Sequence, residues 1–234
     1  MNNRQSNLYR YYTVKRTQIE MLYDRGYDVS ADMPFMEMDI DQFIQYSNDV
    51  VNGGQAINEA LSSVYTEQNG ETNSTAIVIF LHKDARKTTV SKDIVTKFSD
   101  DIRVQASKYT TPRIEIIIIV DSGFSSEAEK VLKALDGTVF DDSVLRLQIF
   151  KETMLTYNPT KFIDYRVHEF IEKEEADAII KKMGVSIREL PALKEDDPVC
   201  AYFGWRKGSL IRIYRDDPLD IAGAKHIYYR SVIA

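Results

Sequence analysis

Hydrophobic positions recur along residues 8–25 at spacings of three and four, through Leu8, Tyr12, Ile19, Leu22 and Tyr23. This spacing predicts an amphipathic helix, with Ser6 in the capping position and Gly26 where a left-handed residue would end it. A second helix is expected after Asp39 or Asp41, carrying Phe43, Ile44 and Tyr46 until Asn52, Gly53 and Gly54 break it. Residues 66–75 are polar and read as loop. The period then changes: residues 76–81 are apolar on successive positions, 114–120 are so apart from Glu115, 144–150 read as a third strand, and between them lie helix-like stretches at 91–106 and 125–135. Strands apolar on successive positions, separated by helices, indicate a mostly parallel sheet covered on both faces. The N-terminal domain, residues 1–158, is therefore read as an α/β domain with flanking helices.

The stretch 157–160, Tyr-Asn-Pro-Thr, is turn-prone and marks the expected boundary. Beyond it the character shifts to a short helix over 172–183 ending at Gly184, and then to Asp197 followed by Pro198, an N-cap with proline at the first helical position. Two alternating strands follow at 209–215 and 225–231, with Leu210, Ile211, Ile213, Ile227, Tyr228 and Tyr229 as their apolar positions. Residues 159–234 thus read as a small α+β domain.

Composition excludes more than it identifies. With 44% hydrophobic and 28% charged residues in 234, the chain can bury a core and is not a disordered or collagen-like polymer. Its one cysteine, Cys200, permits no internal disulfide and no multi-cysteine zinc site, and favours a reducing compartment. The polar start, Met1 to Ser6, does not resemble a secretory signal, and no apolar run is long enough to cross a bilayer, so no membrane partner is expected. The net charge of −6 argues against a freestanding protein that grips nucleic acid by bulk charge. Residues 24–71 hold ten acids and one arginine, a net of −9, whereas residues 72–113 hold eight bases and four acids, a net of +4. That asymmetry fits either a directed field or a solvated face.

Catalytic motifs are scarce. His82, His168 and His226 lack a second histidine or cysteine at ligand spacing, and neither a nucleophile elbow nor a glycine-rich phosphate loop is present. A metal-dependent nuclease-like enzyme would need Asp100, Asp101, Glu115 and Lys108 to converge at a sheet edge, but Glu115 is followed by Ile116 and Ile117 rather than by an acid-x-lysine pattern. The turn Gly123-Phe124-Ser125-Ser126, between a strand and a helix, suits a phosphate and suits plain capping equally.

The last 45 or so residues carry the densest pattern: LPALKEDDPVCAYFGWRKGSLIRIYR followed by YYR, that is Leu190-Pro191, Asp197-Pro198-Val199, Tyr202-Phe203-Gly204, Gly208, Arg215 and Tyr229-Arg230. This series resembles the C-terminal assembly domain of the fifth common subunit of eukaryotic DNA-directed RNA polymerases, a domain similar to that subunit's archaeal equivalent, and His168-Glu169 resembles its opening. Thr17, Met21 and Asp24-Arg25-Gly26-Tyr27 resemble the end of the eukaryotic family's first helix. Two segments depart from the family pattern, Phe170 to Lys173 and the acidic 216–220 loop, and read as a divergent member of protist or large-DNA-virus origin.

The resemblance implies a non-catalytic subunit with no cofactor. Its C-terminal domain would dock on the largest polymerase subunit, and its N-terminal domain would form part of the lower jaw, weakly contacting downstream duplex DNA. A nuclear location is implied, or a viral factory or virion if the chain is virus-encoded. Expected DNA-proximal residues are Lys83, Arg86, Lys87, Gly123, Ser125 and Ser126. Expected partner-binding residues are His168, Pro198, Tyr202, Gly204, Trp205, Arg206, Lys207, Arg215 and Arg230. Independently of the resemblance, Gly204 and Gly208 flank Trp205-Arg206-Lys207 as tight positive-φ turns would, making a partner-binding knob if Trp205 is exposed. A freestanding transcription adaptor is the remaining alternative.

Overall fold

The computed structural model describes residues 3–68, 74–81, 89–109, 111–140, 142–216 and 225–234. The chain divides into two units, Met1–Tyr157 and Asn158–Ala234.

Unit 1 opens with α1 (Asn3–Asp24), α2 (Met33–Glu37), α3 (Ile40–Asn52) and α4 (Ile57–Leu61). It continues through β1 (Ser63–Thr66), β2 (Ser74–Leu81), β3 (Thr89–Val90), α5 (Lys92–Ala106), β4 (Arg113–Val120) and β5 (Gly123–Phe124). The last elements of this unit are α6 (Ser126–Leu135), β6 (Val139–Phe140) and β7 (Ser143–Lys151). α1 starts at Asn3, so Ser6 lies inside it rather than capping it, and the chain leaves at Gly26 with φ +88°. α3 is fixed by a capping box in which Asp39 accepts from the Gln42 amide while the Gln42 side chain accepts from the Asp39 amide.

The main sheet runs β1-β2-β4-β7-β6, with β2, β4 and β7 parallel and the edge strands β1 and β6 antiparallel. Residues 66–75 are not all loop: Thr66 ends β1, and Ser74 and Thr75 open β2. Short polar side chains fit there because the two residues are buried against neighbouring strands, a setting that alternation alone does not reveal. β2 reaches β4 through α5, and β4 reaches β7 through α6. Both helices cover one sheet face, where Ile77, Ile114, Ile116, Ile118, Leu145 and Leu147 meet Val95, Phe98, Ile102, Ala128 and Leu132. The alternate residues Glu115 and Gln148 face the other side and meet Arg25, which follows α1. Burial on both faces explains the unbroken apolar run from Ile116 to Val120 in β4.

Unit 2 comprises β8 (His168–Ile171), α7 (Lys173–Met183), β9 (Ala192–Lys194), α8 (Pro198–Phe203), β10 (Leu210–Asp216) and β11 (Lys225–Ile233). Its sheet runs β8-β10-β11-β9. α7 covers one face, where Ile171, Leu210 and Tyr229 pack on Ala176, Ile179 and Ile180. α8 and Trp205 cover part of the other, over Leu193, Ile211, Ile213 and Val232. Ile227 and Tyr228, expected among the apolar strand positions, are half exposed, since neither helix extends over that end of the hairpin. Among the described residues no helix is long and apolar enough to cross a membrane.

Candidate functional site

The Asp-Pro-Val…Gly run builds a compact support. The Asp197 carboxylate accepts from the amides of Val199 (2.9 Å) and Cys200 (3.4 Å), and Pro198 occupies the first turn, where its missing N–H costs nothing. α8 stops after Phe203 because Gly204 adopts φ +70°, and Gly208 returns the chain toward β10 with φ +92°. Tyr202 is 1% exposed, and its hydroxyl accepts from Asn158 Nδ2 at 3.0 Å, which places it inside unit 2 as a support rather than on a contact surface. Trp205 is half-buried, stacked on Phe203 at 4.7 Å between centroids and packed on the α8 side of the core. It is therefore not the free knob that its flanking glycines allowed. Lys207 at the turn is exposed, Arg206 half-buried, and the Lys207 amide donates to Glu195.

Strand register brings distant residues together. Ile211 pairs with Phe170 and Arg230, Ile213 with His168 and Tyr228, and Arg215 with His226. Directly paired residues share a face, so His168, Phe170, Arg215, His226, Tyr228 and Arg230 all stand on the side of the sheet that carries α8. The Arg215 guanidinium lies over the Tyr228 ring at 4.9 Å, and Arg230 donates to the Ala192 carbonyl at 2.9 Å. His168 sits between Tyr165 (5.7 Å) and Trp205 (6.4 Å), with Nδ1 at 2.5 Å from the Arg166 carbonyl. Desolvation is the largest influence on His168 and lowers its pKa, so it presents a neutral ring at pH 7. Phe170 and Tyr228 complete the face. Period-2 spacing could have found them, since each lies two residues from a singled-out position.

The opposite face is tied together by its own ion pairs and hydrogen bonds, with Arg212 Nε buried and unpartnered among the described residues. Arg212 pairs with Glu169 at 3.0 Å and with Glu175, and the Tyr214 hydroxyl donates to Glu169 at 2.6 Å. The hydrogen bonds from Tyr214 and Arg212 lower the Glu169 pKa.

In unit 1, Ser125 is the N-cap of α6, its hydroxyl accepting from the Ala128 amide at 3.2 Å. Glu127 and Glu129 lie in the same first turn, so the helix dipole is already met by carboxylates. Gly123 belongs to β5, paired with β3, and Ser126 is exposed. Lys83, Arg86, Lys87 and His82 lie outside the described residues. Glu115 is held by Arg25 (3.2 Å) and Arg113 (3.4 Å), and no group of three His, Cys, Asp or Glu among the described residues could hold a metal ion.

Two family profiles match the chain: RNA polymerase Rpb5, N-terminal domain, over residues 5–109, and RNA polymerase Rpb5, C-terminal domain, over residues 157–232. The chain belongs to the RNA polymerase Rpb5 family. Among Rpb5 relatives, subunit 5B of DNA-directed RNA polymerases IV and V of Arabidopsis thaliana is 24% identical over 96% of this chain and 90% of its own length. Subunit RPABC1 of DNA-directed RNA polymerases I, II and III of Caenorhabditis elegans is 25% identical over 96% of each. DNA-directed RNA polymerase subunit Rpo5 of Methanocaldococcus jannaschii is 41% identical, over 28% of this chain and 81% of its own length. The Asp24-Arg25-Gly26-Tyr27 run of this Rpb5 chain has a structural role that its sequence alone hides. Arg25 reaches Glu115 at 3.2 Å and Gln148 at 2.8 Å, tying the end of α1 to two central strands.

Proposed function

We propose that this chain is a non-catalytic subunit of a multisubunit DNA-directed RNA polymerase. Unit 2 docks it on the largest subunit, and unit 1 forms part of the lower jaw beside downstream duplex DNA. The observation that carries the docking role is the α8-side face of unit 2. Residues from three strands and a turn, His168, Phe170, Trp205, Arg215, Tyr228 and Arg230, gather there, with Phe170, Arg215 and Tyr228 exposed and the other three half-buried. Aromatic and arginine side chains are the groups enriched at interface centres. Membership in the Rpb5 family and relatives that are polymerase subunits support the same reading, and eukaryotic relatives support a nuclear setting.

The jaw assignment rests on charge. Capping already uses Ser125, and Glu127 and Glu129 would repel phosphate, so the DNA-facing part of the reading moves to Lys83, Arg86 and Lys87 and to the exposed bases of α5. A chain anchored by protein contacts needs few phosphate-facing groups, because assembly supplies the local concentration. The test is affinity purification of the tagged chain in high salt. Stoichiometric large polymerase subunits, lost with Arg215→Glu plus Arg230→Glu, are expected. Recovery of the chain alone would overturn the reading in favour of a freestanding adaptor.

A further inference from the structure

We propose that unit 1 holds a second, independent protein-binding site: a cleft beside the open edge of β7 that accepts an extended peptide segment from another protein as an added strand. β6 pairs only with Ser143 and Val144, so the outer edge of β7 beyond them has no strand partner among the described residues. Leu145 exchanges hydrogen bonds outward with Gly137 and Thr138, and alternation therefore turns the backbone groups of Leu147, Ile149 and Lys151 outward as well. The Asp136 carboxylate covers the Leu147 amide at 2.8 Å. Ile149 follows with no such cover among the described residues, and it is 38% exposed.

Beside this edge lies a cleft of about 510 Å³, walled by Val120, Phe124, Leu132 and Ile149 and ending at Ser122 and Gly123. The Ser122 hydroxyl oxygen is buried there without a hydrogen-bond partner among the described residues. A peptide strand meets all three features. Its backbone satisfies the Ile149 N–H and C=O, an apolar side chain enters between Phe124, Leu132 and Ile149, and a backbone or polar group reaches Ser122. Charge selects a peptide over a polyanion, because the lining pairs Glu129 and Asp136 with Lys133 and Lys151 and carries no net charge. An acidic residue near Lys133 and Lys151, with an apolar residue next to it, is the pattern expected of the occupant.

A phage-displayed library of roughly twelve-residue random peptides, selected on the full chain, tests the site. Enriched peptides should alternate apolar and polar positions, and their binding should weaken at least about ten-fold in Ile149→Pro, which removes an outward N–H while leaving the ladder to β4. Gly123→Leu is the second variant. A Cβ at Gly123 meets nothing within 4 Å, so a side chain can start there, and Gly123 lines the cleft that the leucine is meant to narrow. If Ile149→Pro does not fold, as judged by circular dichroism, Gly123→Leu decides alone. No enrichment, or binding unchanged in the folded variants, would overturn the proposal. So would a concentration-dependent dimer abolished by Gly123→Leu, which would make a second copy the occupant.

Discussion

Replacing Lys15 by methionine should be among the most damaging single changes in unit 1. Lys15 is fully buried, and its Nζ donates to Asp32 (2.5 Å), the Leu61 carbonyl (2.9 Å), Tyr65 (3.1 Å) and Ser63 (3.2 Å). Methionine keeps the length and apolar stem but leaves the buried Asp32 carboxylate with only the Tyr65 hydroxyl of that set. Breaking a buried ion pair by removing one partner costs about 3–5 kcal/mol, a large share of a total stability of about 5–15 kcal/mol. With a urea m-value near ~2 kcal/mol/M, the far-UV circular dichroism midpoint should fall by roughly 2 M. Adding Asp32→Asn removes the stranded charge, so the double variant should be more stable than Lys15→Met alone. Burial, opposed by Asp32, lowers the Lys15 pKa. The unfolded chain therefore binds the extra proton between the folded value and about 10.4, and this group favours folding as pH rises through that window. A loss below about 1 kcal/mol, or a double variant as unstable as the summed singles, would refute the argument.

Three further outcomes follow from the same kind of accounting. Tyr11, Tyr27 and Tyr65 all have pKa values raised chiefly by burial, so their contribution to stability is intact below about pH 10 and is lost as pH rises beyond it. Urea midpoints should fall steeply above about pH 10.5, where Lys15 no longer offsets them; a flat alkaline profile would contradict this. Asp197→Ala removes the cap of α8 and should cost about 1 kcal/mol, read as a drop in melting temperature, with Asp197→Ser largely restoring it. Cys200 is fully buried and its thiol is pushed up to about 12, so a thiol-specific chromogenic disulfide should label it only after denaturation; native labelling at neutral pH would show that the α8 core opens.

Elements set by local chemistry were legible in the sequence. The β4 isoleucine run, the Ser125 and Asp197 caps and the left-handed Gly184 and Gly204 each announce themselves within a few residues. What escaped depends on partners far along the chain. β8 and β9 are three or four residues long and gain their strand character only by pairing with β10 and β11. Lys15 and Gln18 look like the polar face of an amphipathic helix. Both are buried because Asp32 and Tyr65, from elements packed on α1, supply their hydrogen bonds. The candidate docking face was half legible: its arginines and Trp205 were named from motif density, but that they share one side follows from register.

That register separates two arginines three residues apart in β10 into different roles. Arg212 points to the α7 side, where Glu169, Glu175 and the Tyr229 ring at 5.8 Å surround it. Arg215 points to the α8 side, where it makes no ion pair among the described residues and lies on Tyr228. Because side chains alternate along a strand, moving β10 by one residue would exchange the faces and bury neither set correctly. Arg212→Ala should therefore lower the stability of unit 2 by about 1 kcal/mol, a modest value because its glutamate partners are about half exposed, and should leave polymerase association intact in the folded protein. Arg215→Glu should leave the melting temperature within error and weaken association at least about ten-fold, since it reverses a charge on the docking face. Equal losses of association from the two variants, with melting unchanged in both, would show that the two faces do not divide the work in this way.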